Sequence, residues 1–165
     1  KIRVMENKYH IGFWKAVGAN PTPMTFSEVY IGLQQGTLDA QENAYPLIVT
    51  AKLYEQQKTL INSNHVPDYV TMIVSDAFME KLTPEQQEII QTAADMAREA
   101  SHSYCDEKIE EAVQFLEDAG MTIASPSDED RAKMQEQSQP VWNQIKEQCG
   151  AELFDAYTAL AIAKQ

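Results

Sequence analysis

Apolar positions follow two different periods along this chain. Over roughly the first seventy-five residues, short strand-like runs alternate with stretches in which apolar side chains recur every three to four positions. Lys1–Met5 alternates in polarity and is predicted to be a short strand. Tyr9–Val17 sets Ile11, Trp14 and Val17 on one face with Gly18 just beyond, which predicts a helix with a C-terminal stop. Pro21–Met24 is extended, because proline disfavours helix for itself and its predecessor.

Thr25-Phe-Ser-Glu28 has the pattern of a capping box, with Val29, Leu33 and Phe26 as the buried face of the next helix and Gly36 as its end. A third helix is expected from Pro46 to about Gln56, with Leu47, Val49, Ala51, Leu53 and Tyr54 available for burial. Thr59–Ile61 and Tyr69–Val74 are β-branched or aromatic on both faces, which predicts central strands covered on each side. Strands alternating with helices of this length give an α/β fold class.

The second half changes character. Thr83-Pro84-Glu85-Gln86 carries a hydroxyl cap, a proline at the first helical position and a glutamine closing the box. No breaker occurs until Gly120, and Ile89, Ala93, Met96, Ala100, Tyr104 (or Cys105), Ile109, Val113 and Leu116 fall on one stripe. A helix of ~34 residues is about 50 Å long, whereas a compact body of this size is only about 40 Å across. Either the helix kinks or it lies across something larger than this chain; the stripe drifts too much for a coiled coil. Met121–Ala124 is a predicted short strand, Ser125–Asp128 a loop with cap chemistry, and Asp130–Cys149 and Ala151–Ala163 two further helices before an Ala-rich tail. Pro140 is expected to break or kink the first of these near Ser138 or Gln139. The organisation read from this is an α/β part over 1–75 and a helical part over 76–165.

Composition narrows what such a fold serves. The 165 residues suffice for one good core, and 44% hydrophobic and 23% charged residues are ordinary for a soluble globular protein. The net charge of −12 repels phosphate backbones and anionic lipid, which argues against nucleic-acid and membrane-surface partners. No apolar run approaches the ~18 to 20 residues of a membrane helix. The chain opens on Lys1 without an initiator Met or a charged-then-apolar leader, so a targeting peptide is expected to be already gone, or the chain to be a fragment. Cys105 and Cys149 show no metal or redox spacing; they either pair in an oxidising compartment or remain buried thiols.

Catalytic constellations are missing. His10, His65 and His102 sit in unrelated segments, and no HExxH, GxSxG, P-loop or GxGxxG occurs. Glu107, Glu110, Glu111, Glu117 and Asp118 read as the solvated face of the long helix. No cofactor is implied. Arginine is scarce: Arg98 and Arg131 lie near acids as surface ion-pair partners, but Arg3 stands alone between Ile2 and Val4. An arginine buried in a strand is costly unless paired, and its planar fork suits a carboxylate. Two partners are open on spacing alone: Asp39 or Glu42 of this chain, or a ligand anion at the loop Asp39–Asn43, where α/β proteins bind ligands outside strand ends.

"KIRVMENKYH…AVGANPTPMTFSEVYIGLQQGTLDAQEN", "YEQQKTLINSNHVPDYVTMIVS" and "LTPEQQEIIQTAADMA" together resemble the solute-binding proteins of tripartite ATP-independent periplasmic (TRAP) transporters, in the dicarboxylate-type branch, over almost the whole chain. The resemblance implies two α/β lobes closing on a small organic acid, joined by a long lobe-spanning helix. At half the family's length, this chain resembles the C-terminal half: the second lobe's ligand-binding core in 1–75, the spanning helix, a strand and the C-terminal helices in 76–165, and no first lobe. It implies a periplasmic protein that is not an enzyme and delivers a carboxylate, whether a dicarboxylate or a sugar acid, to membrane permease subunits. It is not itself inserted in the membrane, and an oligomer of the half-length chain is possible.

By position, the resemblance makes Arg3 the carboxylate clamp, Asn43 the supporting amide and Phe26 an aromatic on the ligand's apolar face, with Met5 and Tyr69 lining the pocket. Asp39, Gln41 and Glu42 become loop scaffolding. The chain departs from the family at Ala40, usually Gly, which questions a tight left-handed turn there. It departs also at Met5 and Ala44, often Pro; Met5 fits branches that bind sugar acids. Three other readings stand beside this one: an extracytoplasmic sensor domain presenting the same ligand to a signalling receptor, an enzyme using His65 as base, and a helical interaction module over 84–119.

Overall fold

The computed structural model describes residues 1–67 and 69–162. The fold starts at β1 (Ile2–Val4), all three residues of which are buried. Asn7 then caps α1 (Lys8–Ala16), its side chain accepting from the amides of Tyr9 and His10, and Gly18 turns the chain out at φ 87°. β2 (Pro21–Pro23) runs parallel to β1 in the register Ile2↔Pro21, Arg3↔Thr22 and Val4↔Pro23. Two prolines fit there because β2 is an edge strand and need not donate on its outer side.

The expected capping box at Thr25 is not made. The Thr25 hydroxyl donates to the Glu28 carboxylate at 2.6 Å, and the Glu28 amide bonds the Thr25 carbonyl at 3.2 Å. Hydroxyl and carboxylate thus satisfy each other, and a 3-10 turn (Phe26–Glu28) leads into a short α2 (Val29–Gln34). Val29 is fully buried and Leu33 partly so, while Phe26 keeps 40% of its surface exposed. Gly32 is needed by contact: a Cβ there would lie 2.8 Å from Cδ1 of buried Leu38.

β3 (Ala40–Gln41) pairs with the other side of β1, Ile2↔Ala40 and Arg3↔Gln41, giving a parallel sheet of order β2-β1-β3. The chain steps from β1 to one neighbour and then crosses to the opposite one. Such a reversal opens a crevice at the carboxyl ends of the strands on either side of the switch, here β1 and β3. Ala40 lies within the strand, and among the described non-glycine residues only Lys52 and Asn64 have positive φ. Alanine therefore carries no left-handed strain at position 40.

α3 (Tyr45–Thr50) is shorter than expected. The β-branched run Ile48-Val49-Thr50 is a weak helix former, and Lys52 in the left-handed region reverses the chain into a 3-10 turn (Leu53–Glu55) that buries Leu53. β4 (Thr59–Ile61) pairs in parallel with β5 (Thr122–Ala124). Their central residues are half-buried and their flanks exposed, so β4 is not the doubly covered strand its composition predicts. Tyr69–Val74 forms no strand, with Val70 fully exposed and Ile73 86% exposed. Strand propensity expresses packing on neighbours, and among the described residues no strand pairs with this segment.

Residues 1–63 and those from Met121 onward form one compact unit, and residues 64–120 a second. The second unit holds α4 (Asp76–Met79) and α5 (Pro84–Asp118). The capping box at Thr83 and Gln86 forms in full, and the 35 residues run without interruption, about 52 Å. Along the predicted stripe Ile89, Met96 and Tyr104 are exposed, whereas Leu116 is buried. Arg98 pairs with Asp95 at 3.7 Å.

The first unit is completed by α6 (Asp128–Cys149), capped by Ser127, and α7 (Ala151–Ile162); the predicted helix end at Ala163 and the tail after it lie outside the described residues. α6 continues through Pro140 without the break the sequence allows there. The ring removes one helical bond at a cost of about 3 kcal/mol. Burial of Val141 works against this cost, Val141 packing so closely on α1 that a Cβ at Gly12 would lie 3.1 Å from it. Arg131 donates to the Ser63 carbonyl at 3.4 Å instead of pairing with the acids before it. Cys105 and Cys149 are free and, contrary to expectation, exposed. No helix among the described residues is long and apolar enough to cross a membrane.

Candidate functional site

Strand alternation sets Ile2 and Val4 on one face of the sheet and Arg3 on the other. Arg3 is only 6% exposed. Its Nε donates to the Met24 carbonyl at 2.9 Å, and the Met24 amide bonds the Val4 carbonyl at 3.2 Å, so the ends of β1 and β2 are tied around the side chain. The guanidinium carbon lies 5.8 Å from the centre of the Phe26 ring, a cation–π arrangement.

Neither internal acid takes Arg3. Asp39 turns to the amino group of Lys1 at 2.5 Å, and Glu42 meets Nδ1 of His10 at 2.9 Å. Among the described residues no carboxylate is within ion-pair distance of Arg3, and its two terminal nitrogens have no hydrogen-bond partner. Burial holds the Arg3 pKa below its ordinary value, and the Glu42 carboxylate opposes this through space. A poorly solvated cation with its fork unpaired is costly to keep and attracts an anion that accepts from both nitrogens.

Beside Arg3, amide side chains form a line. Asn43 Nδ2 donates to Gln41 Oε1 at 2.6 Å, and Gln41 Nε2 donates to Gln57 Oε1 at 3.2 Å. Gln41 is the register partner of Arg3 across β1 and β3, so their side chains share a face of the sheet.

Of the residues singled out in sequence, Arg3, Phe26 and Asn43 thus gather at the carboxyl edge of the three-stranded sheet. Met5, directly after β1, is 48% exposed there. Tyr69 belongs to the second unit and is 76% exposed. Three contributors were not picked out. Met24 acts through its backbone carbonyl, to which side-chain chemistry gives no clue. His10 and Gln57 act on partners 32 and 16 residues away, and nothing in their local pattern marks them. Among the described residues no group of three or more His, Cys, Asp and Glu is placed to hold a metal ion.

Comparison with known proteins gives this edge a context. Residues 1–148 match the family described as bacterial extracellular solute-binding protein, family 7. The sialic acid-binding periplasmic protein of Vibrio cholerae is 32% identical over 160 residues, which are 97% of this chain and 49% of that protein. The structure of a TRAP periplasmic solute binding protein from Polaromonas, bound to D-erythronate, superposes with a TM-score of 0.81 at 31% identity, covering 94% of this chain and 51% of that one. One from Shewanella oneidensis with bound succinate gives 0.80 at 28% identity, over 96% and 52%. The chain spans about half the length of these proteins.

Proposed function

The chain belongs to the bacterial extracellular solute-binding proteins of family 7, and from that premise we propose that it is the second lobe of a periplasmic protein that captures a small organic acid and passes it to a TRAP permease. In this reading the acid's carboxylate takes the two terminal nitrogens of Arg3, its apolar face lies on Phe26 beside Met5, and Asn43 holds an oxygen next to the carboxylate. A first lobe of similar length completes the pocket, and closure excludes water, which strengthens the charge pair.

The observation that carries the reading is the buried Arg3 fork, unpaired by any described acid and seated at the topological switch of a parallel sheet. A structural arginine would be expected to hold Asp39 or Glu42; those two acids are engaged by Lys1 and His10. The relatives from Vibrio, Polaromonas and Shewanella are binding proteins, so the sensor reading and the enzyme reading through His65 find no support in them.

The test is titration calorimetry on the two-lobed protein with uronates, sialic acids and C4-dicarboxylates, each beside its neutral amide. We expect micromolar or tighter binding for at least one acid and a loss of affinity of about tenfold or more for its amide, which lacks the charge that a bidentate pair requires. An amide that binds as tightly as its acid would contradict the reading. Native mass spectrometry of the purified protein would identify the acid directly.

A further inference from the structure

We propose that Gln57 is a positioning residue: through Gln41 it fixes which edge of Asn43 faces the cleft, and so selects acids that carry a hydroxyl near the carboxylate over unsubstituted ones. The inference rests on the acid-binding reading of Arg3. An asparagine side chain offers two N–H groups and one carbonyl oxygen. One N–H of Asn43 is engaged by Gln41 Oε1 at 2.6 Å. The other N–H and Oδ1 remain, a donor and an acceptor side by side. A hydroxyl answers both, since it donates and accepts; a carboxylate only accepts, and would set an oxygen against Oδ1.

The orientation of Asn43 is not its own choice. If its amide rotated by half a turn, Oδ1 would face Gln41 Oε1, acceptor against acceptor. Gln41 would then have to turn as well, and its Oε1 would face Gln57 Oε1, which now accepts from Gln41 Nε2 at 3.2 Å. The three amides therefore turn together or not at all, and in the arrangement the structure shows, the Gln57 carbonyl oxygen at the end of the line sets their common direction. The line is close enough to matter: Gln41 and Arg3 are register partners on adjacent strands, about 4.8 Å apart, with side chains on one face. An acid clamped by Arg3 brings its first carbons past Asn43.

The experiment compares D-erythronate, a hydroxylated four-carbon acid, with succinate, an unsubstituted one, by calorimetry on the two-lobed protein and its variants. The unsubstituted protein is expected to prefer erythronate. In Gln57→Met the line loses its anchor, and erythronate affinity should fall by about tenfold or more while succinate affinity changes by less than about threefold. Gln41→Met should do the same. Gln57→Glu retains the preference, because a carboxylate can only accept and so imposes the same direction on Gln41. Thermal unfolding of each variant separates this from general destabilisation. Equal losses for both acids, no loss for either, a Glu variant that behaves like the Met variant, or no initial preference for erythronate would each overturn the relay while leaving acid binding in place. If the protein binds no acid at all, the underlying reading fails and the relay falls with it.

Discussion

Burying a guanidinium at a strand end is expensive, and inside this chain Arg3 recovers only part of the cost, from one backbone carbonyl and the face of Phe26. This gives a way to tell a binding arginine from a structural one. Replacing a buried charge by an apolar side chain of similar volume is often neutral or stabilising, whereas breaking an internal ion pair costs about 3 kcal/mol or more. We expect Arg3→Met to leave the melting temperature of the acid-free protein unchanged or higher while removing the stabilisation that acids confer. A fall of several degrees without ligand would mark Arg3 as part of the fold. Arg3 was legible in the sequence because it is one of three arginines and stands between Ile2 and Val4. What the sequence left open was its partner, because distance along the chain does not say that Glu42 lies with His10 and Asp39 with Lys1.

Among the elements, three similar start signals had different outcomes. Thr83 and Ser127 make full capping boxes on helices of 35 and 22 residues, but Thr25 gives its hydroxyl to Glu28 and starts a 3-10 turn. The motif is the same and the helix behind it differs, since α2 is only six residues long and ends against Leu38 through Gly32. A break at Pro140 does not occur: its cost is local, and the packing of Val141 on Gly12 that opposes it is not. The close contact at Gly32 is testable. Gly32→Ala gains about 1 kcal/mol of helix propensity but drives a Cβ to 2.8 Å from buried Leu38 Cδ1, and overpacking costs about 1–3 kcal/mol. We expect a net loss of stability, a melting temperature lower by about 2–4 °C per kcal/mol; a higher one would mean that Leu38 yields freely.

The α6 cap has a defined pH signature. Bonds from the Ser127 hydroxyl and amide hold the Asp130 carboxyl below its ordinary range. Because the folded value is depressed, the contribution is fully present above the unfolded carboxylate pKa, about 4, and is lost as pH falls through the lower folded value. Ser127→Ala should therefore lower the melting temperature at pH 7 and do so progressively less below pH ~4. A deficit that is the same at pH 7 and at pH ~2.5 would detach the cap from Asp130.

At the scale of the whole molecule, large apolar side chains of the second unit stand in solvent. Val70, Met72 and Ile73 are 101%, 66% and 86% exposed, and Ile89 and Met96 on α5 about two-thirds exposed. The α/β class and the long helix were readable from periodicity and caps; the parallel order of the strands, set by pairing across the chain, was not. Tyr69–Val74 was misread as a central strand because its side chains suit one, while nothing described in this chain pairs with it. Chains of the family are about twice as long as this one, so a surface of this kind is what the proposed first lobe would meet. Expressed as these 165 residues alone, the protein is expected to self-associate at micromolar concentration and to bind acids feebly. Sedimentation velocity showing only monomer across that range would contradict this.

The central claim is that Arg3 is kept for a guest carboxylate, and the direct test is the calorimetric affinity of the two-lobed protein for its best acid, with and without Arg3→Ala. Loss of one partner of a desolvated charge pair should weaken binding by about 2 kcal/mol or more, roughly thirtyfold. An Arg3→Ala protein that binds the acid as tightly as its parent would show that the carboxylate is held elsewhere.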